Sequence, residues 1–308
     1  MRLAQANSDA YEDRVRLRGP QRIVVVANPK SRVSPDRLET LVRAYMPQGS
    51  SITVRHTNPD IPIHGLIEDE LDRATIAIAS GGDGTVSQVA AAILEHRIPL
   101  GIVPAGSTNM VAKVSDIPSN PEKAVQLIFG YHRRERIDVG RSAERLLLHL
   151  GGAGLDARIF IGADPRLKKR IRWAAYVPPA ITGAFAAQTD FTVTVDGDVT
   201  QARSSLVLVA NSAQLLSSKI HIVGGVSRTD GEFDVLIYTA SNPIQLALAG
   251  LVSLTGHLEL SGQVIRRRGK SIRIESDPPV PAELDGEVVG STPLDIDVLP
   301  NAIELIRR

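Results

Sequence analysis

The sequence predicts a two-domain α/β protein, with an N-terminal nucleotide-binding domain on a parallel sheet and a C-terminal β-rich, sandwich-like domain. Three observations predict it. The chain has 308 residues, beyond the ~100–200 usual for one domain. From Arg22 to Asp138 apolar strand-like runs alternate with helical periodicities, the pattern of βα units stacked into a parallel sheet. After Val139 the texture changes to period-two segments separated by turns, as antiparallel strands require. The expected divisions are a flexible tail over 1–19, an α/β domain over 20–138 and a β-rich domain over 139–308.

Each element follows from its residues. The tail carries charges without an apolar period. Ile23-Val24-Val25-Val26-Ala27 is a continuous apolar run, as a strand covered on both faces needs. Ser34-Pro35 opens a helix with Leu38, Leu41, Val42 and Tyr45 on one face, and Ile52 and Val54 alternate in a second strand. A third strand covers 75–79, and Val86, Val89, Ala90, Ile93 and Leu94 then recur at helical spacing. A strand over 100–103, a short helix over 107–114 and a helix capped by Asn120-Pro121 complete the first domain. In the second, 191–195 alternates and ends in the turn dipeptide Asp196-Gly197. Strands over 205–210, 233–238, 272–274, 294–298 and 303–306 continue the theme. Residues 244–258, interrupted by Gln245, Ser253, Thr255, Gly256 and His257, read as a buried or half-buried helix.

Composition narrows the function classes. A formal net charge of +1 argues against nucleic-acid binding driven by bulk charge. The absence of cysteine removes a disulfide framework and a thiolate metal site, and fits a reducing cytoplasm. The polar start is no secretory signal, and no run of ~18 apolar residues could span a bilayer. A cytoplasmic protein is expected, with any membrane contact local and peripheral at the inner face.

The motif with most chemistry is Ala79-Ser80-Gly81-Gly82-Asp83-Gly84-Thr85, set between a buried strand and a helix. Its glycines let backbone approach a polyphosphate, the helix N-terminus aims N–H groups at phosphate oxygens, and Asp83 could take a magnesium-bound water or a ribose hydroxyl. Asn28-Pro29-Lys30-Ser31, with Arg32, and Pro104-Ala105-Gly106-Ser107-Thr108-Asn109 also follow strands, so three turns share the carboxyl edge of one sheet. Gly269-Lys270-Ser271 lacks the earlier glycine of a Walker loop, and Gly152-Ala153-Gly154 lacks the third glycine of a dinucleotide fingerprint. The seven histidines have no metal-ligand spacing and read as surface or satisfied polar residues. Asp230-Gly231-Glu232 and Asp285-Gly286-Glu287 read first as hairpin turns, with carboxylates suited to phosphoryl transfer.

Taken together with Asp138-Val139-Gly140, these motifs resemble the diacylglycerol kinase catalytic family, which includes bacterial lipid kinases and, more distantly, sphingosine and ceramide kinases. The resemblance implies an NAD kinase-like or diacylglycerol kinase-like ATP-binding domain and a second domain that together phosphorylate a lipid hydroxyl, with ATP and Mg2+ as cofactors. By that resemblance Asn28, Pro29, Lys30, Ser31, Arg32, Thr57, Gly81, Gly82, Gly84, Thr85, Val86, Ser87, Gln88, Gly106, Ser107 and Asn109 surround ATP. Asp230 ligates magnesium, helped by main-chain oxygens near Ser227 and Glu232; Glu287 is the general base and Asp83 a second catalytic carboxylate; Asp138 and Lys168 meet the substrate. The chain departs from the family pattern at Asn109-Met110, Ser87-Gln88 and Arg32, where Asn-Asp, Asn-Glu and glycine are usual. Expected partners are a lipid at a membrane surface, with residues 166–176 as a basic and aromatic contact, and no nucleic acid; a homodimer is allowed by this reading. The alternatives are a sphingoid or ceramide kinase, an NAD kinase-like enzyme with a soluble acceptor, or a nucleotide-binding regulator without catalysis.

Overall fold

The structure is a computed structural model that describes residues 14–154, 188–212, 223–240, 245, 252 and 262–308. The expected helix over 244–258 and the basic segment over 166–176 fall largely or wholly outside the described residues. In chain order the strands are β1 (Arg22–Ala27), β2 (Ser51–His56), β3 (Ile76–Gly81), β4 (Leu100–Pro104), β5 (Arg133–Ser142), β6 (Arg145–Leu147), β7 (Leu150–Gly154), β8 (Thr189–Val195), β9 (Asp198–Ser204), β10 (Leu206–Ala210), β11 (Phe233–Tyr238), β12 (Val264–Gly269), β13 (Ser271–Asp277), β14 (Pro281–Leu284), β15 (Glu287–Ser291) and β16 (Leu294–Arg307). The helices are α1 (Pro35–Tyr45), α2 (Ile63–Leu71), α3 (Asp83–Ile93), α4 (Met110–Val114) and α5 (Pro121–Phe129). The chain divides into two compact units, Met1–Ile137 with Ala302–Arg308, and Asp138–Asn301.

The first unit is the parallel sheet the sequence predicts, in the order β2-β1-β3-β4. β1 and β3 are buried almost throughout, which explains their unbroken apolar runs. Ser34 caps α1 by accepting the Arg37 N–H at 3.4 Å, and Asn120 caps α5 by accepting from Lys123 at 3.0 Å. Three readings change. Residues 14–19 are not free: Val15 and His132 exchange main-chain hydrogen bonds at 2.8 and 2.9 Å, because Leu17 has a core to enter. Helix α2 had no sequence signal strong enough to stand, as Pro62 and Gly65 flank and interrupt it, yet Ile63, Ile67 and Leu71 bury one face. The end of the chain belongs here too, where Leu305 of β16 pairs in parallel with Leu100 of β4.

The second unit is antiparallel. One set of strands runs β12-β11-β10-β7-β14-β15, and another joins the start of β16 to β13, β8 and β9. Phe191, Val193, Val207, Val209, Phe233, Val235, Ile272 and Ile296 from both sets fill one apolar core, the sandwich expected from period-two strands. Asp196 and Gly197 take positive φ in the turn joining β8 to β9. The two strands expected over 294–298 and 303–306 are one, β16, which runs on past Pro300 through a left-handed Asn301 (φ 51°). The rejected motifs find their structural reasons here. Gly152 lies in mid-sheet, where a Cβ would stand 2.1 Å from the Val207 carbonyl oxygen, and Gly269 would meet Val195 at 2.4 Å.

Candidate active site

Three turns at the carboxyl edge of β1, β3 and β4 are tied into one rim. Asn28 donates its N–H to Ser80 O at 2.9 Å, Arg32 N–H to Ala105 O at 3.1 Å, and Ala105 and Gly106 N–H both to Gly81 O at 2.8 and 3.0 Å. Gly82 and Gly106 stand back to back: a Cβ on Gly106 would lie 2.4 Å from Gly82 Cα and 2.9 Å from Asn109 Oδ1. At Gly81 a Cβ would meet Thr85 Oγ1 at 2.4 Å. Glycine is required here by close approach.

The rim presents donors. In α3 the first helical bond runs from Val86 N–H to Gly82 O at 3.1 Å, so the N–H groups of Asp83, Gly84 and Thr85 form the helix's first turn, the usual seat of a phosphate. Lys30 is exposed, and its N–H goes to Asn28 Oδ1 at 2.9 Å, which shapes the first turn. Thr57 sits at the end of β2 on the same edge, its N–H on Ala27 O at 3.0 Å. Ser107 and Gln88 are exposed, and Ser87 is half-buried. The Val86 side chain is 2% exposed and packs in the core, and its N–H is spent within α3.

Two departures from the family pattern gain a local meaning. Arg32, where glycine is usual, hydrogen-bonds Gly106 O and clamps the first turn to the third. Asn109, left-handed at φ 52°, closes the third turn on itself by accepting from Gly106 N–H and donating to Gly106 O, both at 2.9 Å. The Asp83 carboxylate accepts from Val111 N–H at 3.0 Å at the start of α4. Its pKa is raised, first by desolvation, against the lowering pull of the Met110 and Val111 N–H groups and of Lys113. Asp83 therefore joins the second turn to the third, and Met110 spares it a neighbouring like charge.

In the second unit Asp285 (φ 50°) and Gly286 (φ 84°) form the two-residue turn from β14 to β15. The Asp285 carboxylate accepts N–H bonds from Leu148, His149 and Leu150 at 2.8, 2.8 and 3.2 Å, which fixes the hairpin tip. Glu287, one step along, is exposed and pairs with Arg145 at 3.1 Å. Asp138, expected at the substrate, is fully buried. Its oxygens accept from Gly231 N–H and Asn301 N–H, both at 2.7 Å, and its own N–H goes to Arg228 O at 2.8 Å. Asp138 thus shapes the loop before β11, and its second bond holds the left-handed Asn301 of β16. Lys168 lies outside the described residues.

The carboxylates at the expected magnesium site are already engaged by a cation of the chain itself. Asp230 Oδ2 stands 2.6 Å from Arg268 and Oδ1 faces Glu232 N–H at 3.3 Å; Glu232 itself lies 3.3 Å from Arg268. Ser227 Oγ is 3.2 Å from Thr229 Oγ1. Among the described residues no group of three or more His, Cys, Asp or Glu could hold a metal.

Family models match along the chain: residues 22–142 fit the diacylglycerol kinase catalytic domain, and 152–307, about half the chain, fit the YegS C-terminal NAD kinase beta sandwich-like domain. The chain belongs to the diacylglycerol kinase catalytic family. A diacylglycerol kinase of Staphylococcus haemolyticus is 26% identical over 290 residues, covering 91% of this chain and 86% of its own. An uncharacterized protein of Synechocystis is 32% identical over 237 residues, and the match takes 74% of this chain but only 54% of that relative's length. A crystal structure of a diacylglycerol kinase from Bacillus anthracis str. Sterne aligns with a TM-score of 0.75 at 22% identity, over 95% of this chain and 99% of its own, a likeness of fold. Among the described residues no helix is long and apolar enough to cross a membrane.

For a lipid kinase family member, this chain holds polar groups that its motifs did not reveal. His149 is buried, with Nδ1 2.6 Å from Ser212 Oγ, and Asn211 donates to Asp138 O at 2.7 Å and Leu148 O at 2.9 Å. Desolvation first, then Arg228, lowers the His149 pKa to about 3. Asp234, also buried, is paired with Arg266 at 2.6 Å, and burial raises its pKa against that pairing. A sequence signal for a charge ladder existed: Asp230, Glu232 and Asp234 alternate, as do Arg266 and Arg268, and β11 and β12 pair antiparallel with Asp234 opposite Arg268 and one arginine further on, Arg266, making the closer contact.

Two expected results follow. His149 binds its proton far more weakly folded than unfolded, so its contribution is complete above pH 6.5 and is lost as pH falls toward 3. At pH 5 the loss is on the order of 2 kcal/mol, and His149→Gln should flatten the melting temperature between pH 7.5 and 5. Asp138→Asn turns an amide N–H toward the Gly231 or Asn301 N–H and should lower stability by about 1–3 kcal/mol, read by thermal melting at neutral pH.

Proposed function

We propose that this chain is an ATP-dependent lipid kinase, transferring the γ-phosphoryl of ATP to a lipid hydroxyl, with a diacylglycerol-like alcohol as first acceptor. The observation that carries the reading is the rim of three turns, locked by the Gly82–Gly106 approach and fed by the N-terminus of α3. Family membership supports the same chemistry. The rim's N–H groups and Lys30 bind and orient the triphosphate, and Arg32 and Asp83 keep the turns in register. Glu287 takes the proton of the acceptor hydroxyl as its oxygen bonds to the γ-phosphorus; the bond from that phosphorus to the β,γ-bridging oxygen breaks and ADP departs with the electron pair. ATP enters with its own magnesium, which neutralises phosphate charge, and no step uses an ion at Asp230.

The experiment is phosphoryl transfer from γ-labelled ATP, in the presence of magnesium, to a panel of diacylglycerol, sphingoid base, ceramide, polyprenol and NAD. The expected product is labelled phosphatidic acid from diacylglycerol. Label in NAD alone, or in no acceptor, overturns the reading.

A further inference from the structure

The loop Ser227–Glu232 carries the carboxylate that the family resemblance assigns to magnesium, and its second carboxylate oxygen is bound to a guanidinium. We infer that Arg268 stands in the place of a divalent cation, so that this loop is held in shape by a positive charge of the chain itself and needs no metal.

The contacts leave a metal little to bind. Arg268 Nη2 is 2.6 Å from Asp230 Oδ2 and 3.3 Å from Glu232 Oε2, so one nitrogen bridges both carboxylates as a bound cation would. The other Asp230 oxygen accepts the Glu232 N–H at 3.3 Å. Of the main-chain oxygens nearby, Arg228 O already accepts the Asp138 N–H at 2.8 Å. Magnesium asks for near-octahedral oxygens at about 2.0–2.1 Å. Guanidinium N–H groups offer no lone pair, and two cations on one carboxylate repel.

Arg268 and Arg266 divide the neighbouring acids between them. Arg268 stands on β12 opposite Asp234, whose Oδ1 lies 2.6 Å from Arg266 Nε, while Arg266 Nη1 donates to Gly224 O at 3.0 Å. Arg268 Nε remains 3.8 Å from Asp234, and its Nη2 is left for Asp230 and Glu232. Asp138 holds the same loop through Gly231 N–H at 2.7 Å, so the loop has a main-chain anchor as well as the guanidinium.

The test needs neither nucleotide nor lipid, so it stands or falls separately from the kinase reading. Melting temperatures of the full chain are measured in EDTA and in rising MgCl2, with ionic strength held constant by NaCl to remove screening. The wild type should not respond. Arg268→Gln should melt lower in EDTA and regain about 3–6 °C at Mg2+ roughly tenfold above its Kd, and adding Asp230→Asn should remove that gain. Stabilisation of the wild type by Mg2+ that Asp230→Asn abolishes would overturn the inference, as would a folded Arg268→Gln protein indifferent to Mg2+. Should Arg268→Gln fail to fold, Arg268→Lys keeps one positive charge and should stay indifferent; a Mg2+-dependent rise in that variant counts against the inference.

Discussion

Gly106→Ala is expected to abolish useful nucleotide binding while leaving the second unit intact. The new Cβ would meet Gly82 Cα at 2.4 Å, Gly82 N at 3.0 Å and Asn109 Oδ1 at 2.9 Å. Two of these three atoms are backbone, so no side-chain rotation relieves the clash, and the second and third turns must part. Overpacking of this kind costs about 1–3 kcal/mol. The larger effect is on geometry, because Gly106 N–H also bonds Gly81 O at 3.0 Å, and that bond sets the spacing of the rim. A displacement near 1 Å in a phosphate cradle weakens its action on the order of 10²-fold. Calorimetric titration with ATP would read it, and wild-type affinity in Gly106→Ala would mean that the nucleotide sits elsewhere.

Glu287→Gln is the second large effect, and its direction differs. Turnover should fall on the order of 10²–10⁴-fold, the usual consequence of removing a positioned base. ATP affinity and melting temperature should hardly change, since Glu287 is exposed and its ion pair with Arg145 is of the half-exposed kind worth ~0–1 kcal/mol. Arg145→Ala separates the roles: loss of the ion pair alone should leave most of the turnover. A Glu287→Gln protein with normal kcat would remove Glu287 from the chemistry.

Much of the rim was legible because phosphate chemistry constrains local sequence. Small residues between a buried strand and a helix leave few alternatives, and the parallel topology that gathers three such turns follows from alternating βα periodicity. The carboxylates of the second unit were legible as turns, and Asp285-Gly286 is one. What could not be read was which atoms each carboxylate meets. Asp138 looks like a charged site residue, yet its oxygens serve two main-chain N–H groups 93 and 163 residues away along the chain. Asp230 looks like a metal ligand, but its partner is supplied by a strand 38 residues later. Helix α2 was missed for the opposite reason, since its local propensity is poor and its packing alone sustains it.

The central claim is the proposed transfer of the ATP terminal phosphoryl to a lipid alcohol. It is tested most directly by counting chloroform-extractable label after incubating γ-labelled ATP and diacylglycerol with wild-type, Glu287→Gln and Gly106→Ala proteins at equal concentration. The account predicts labelled lipid with the wild type and near-background counts with both variants. Background counts with the wild type at saturating ATP and lipid, or equal counts with all three, would contradict it.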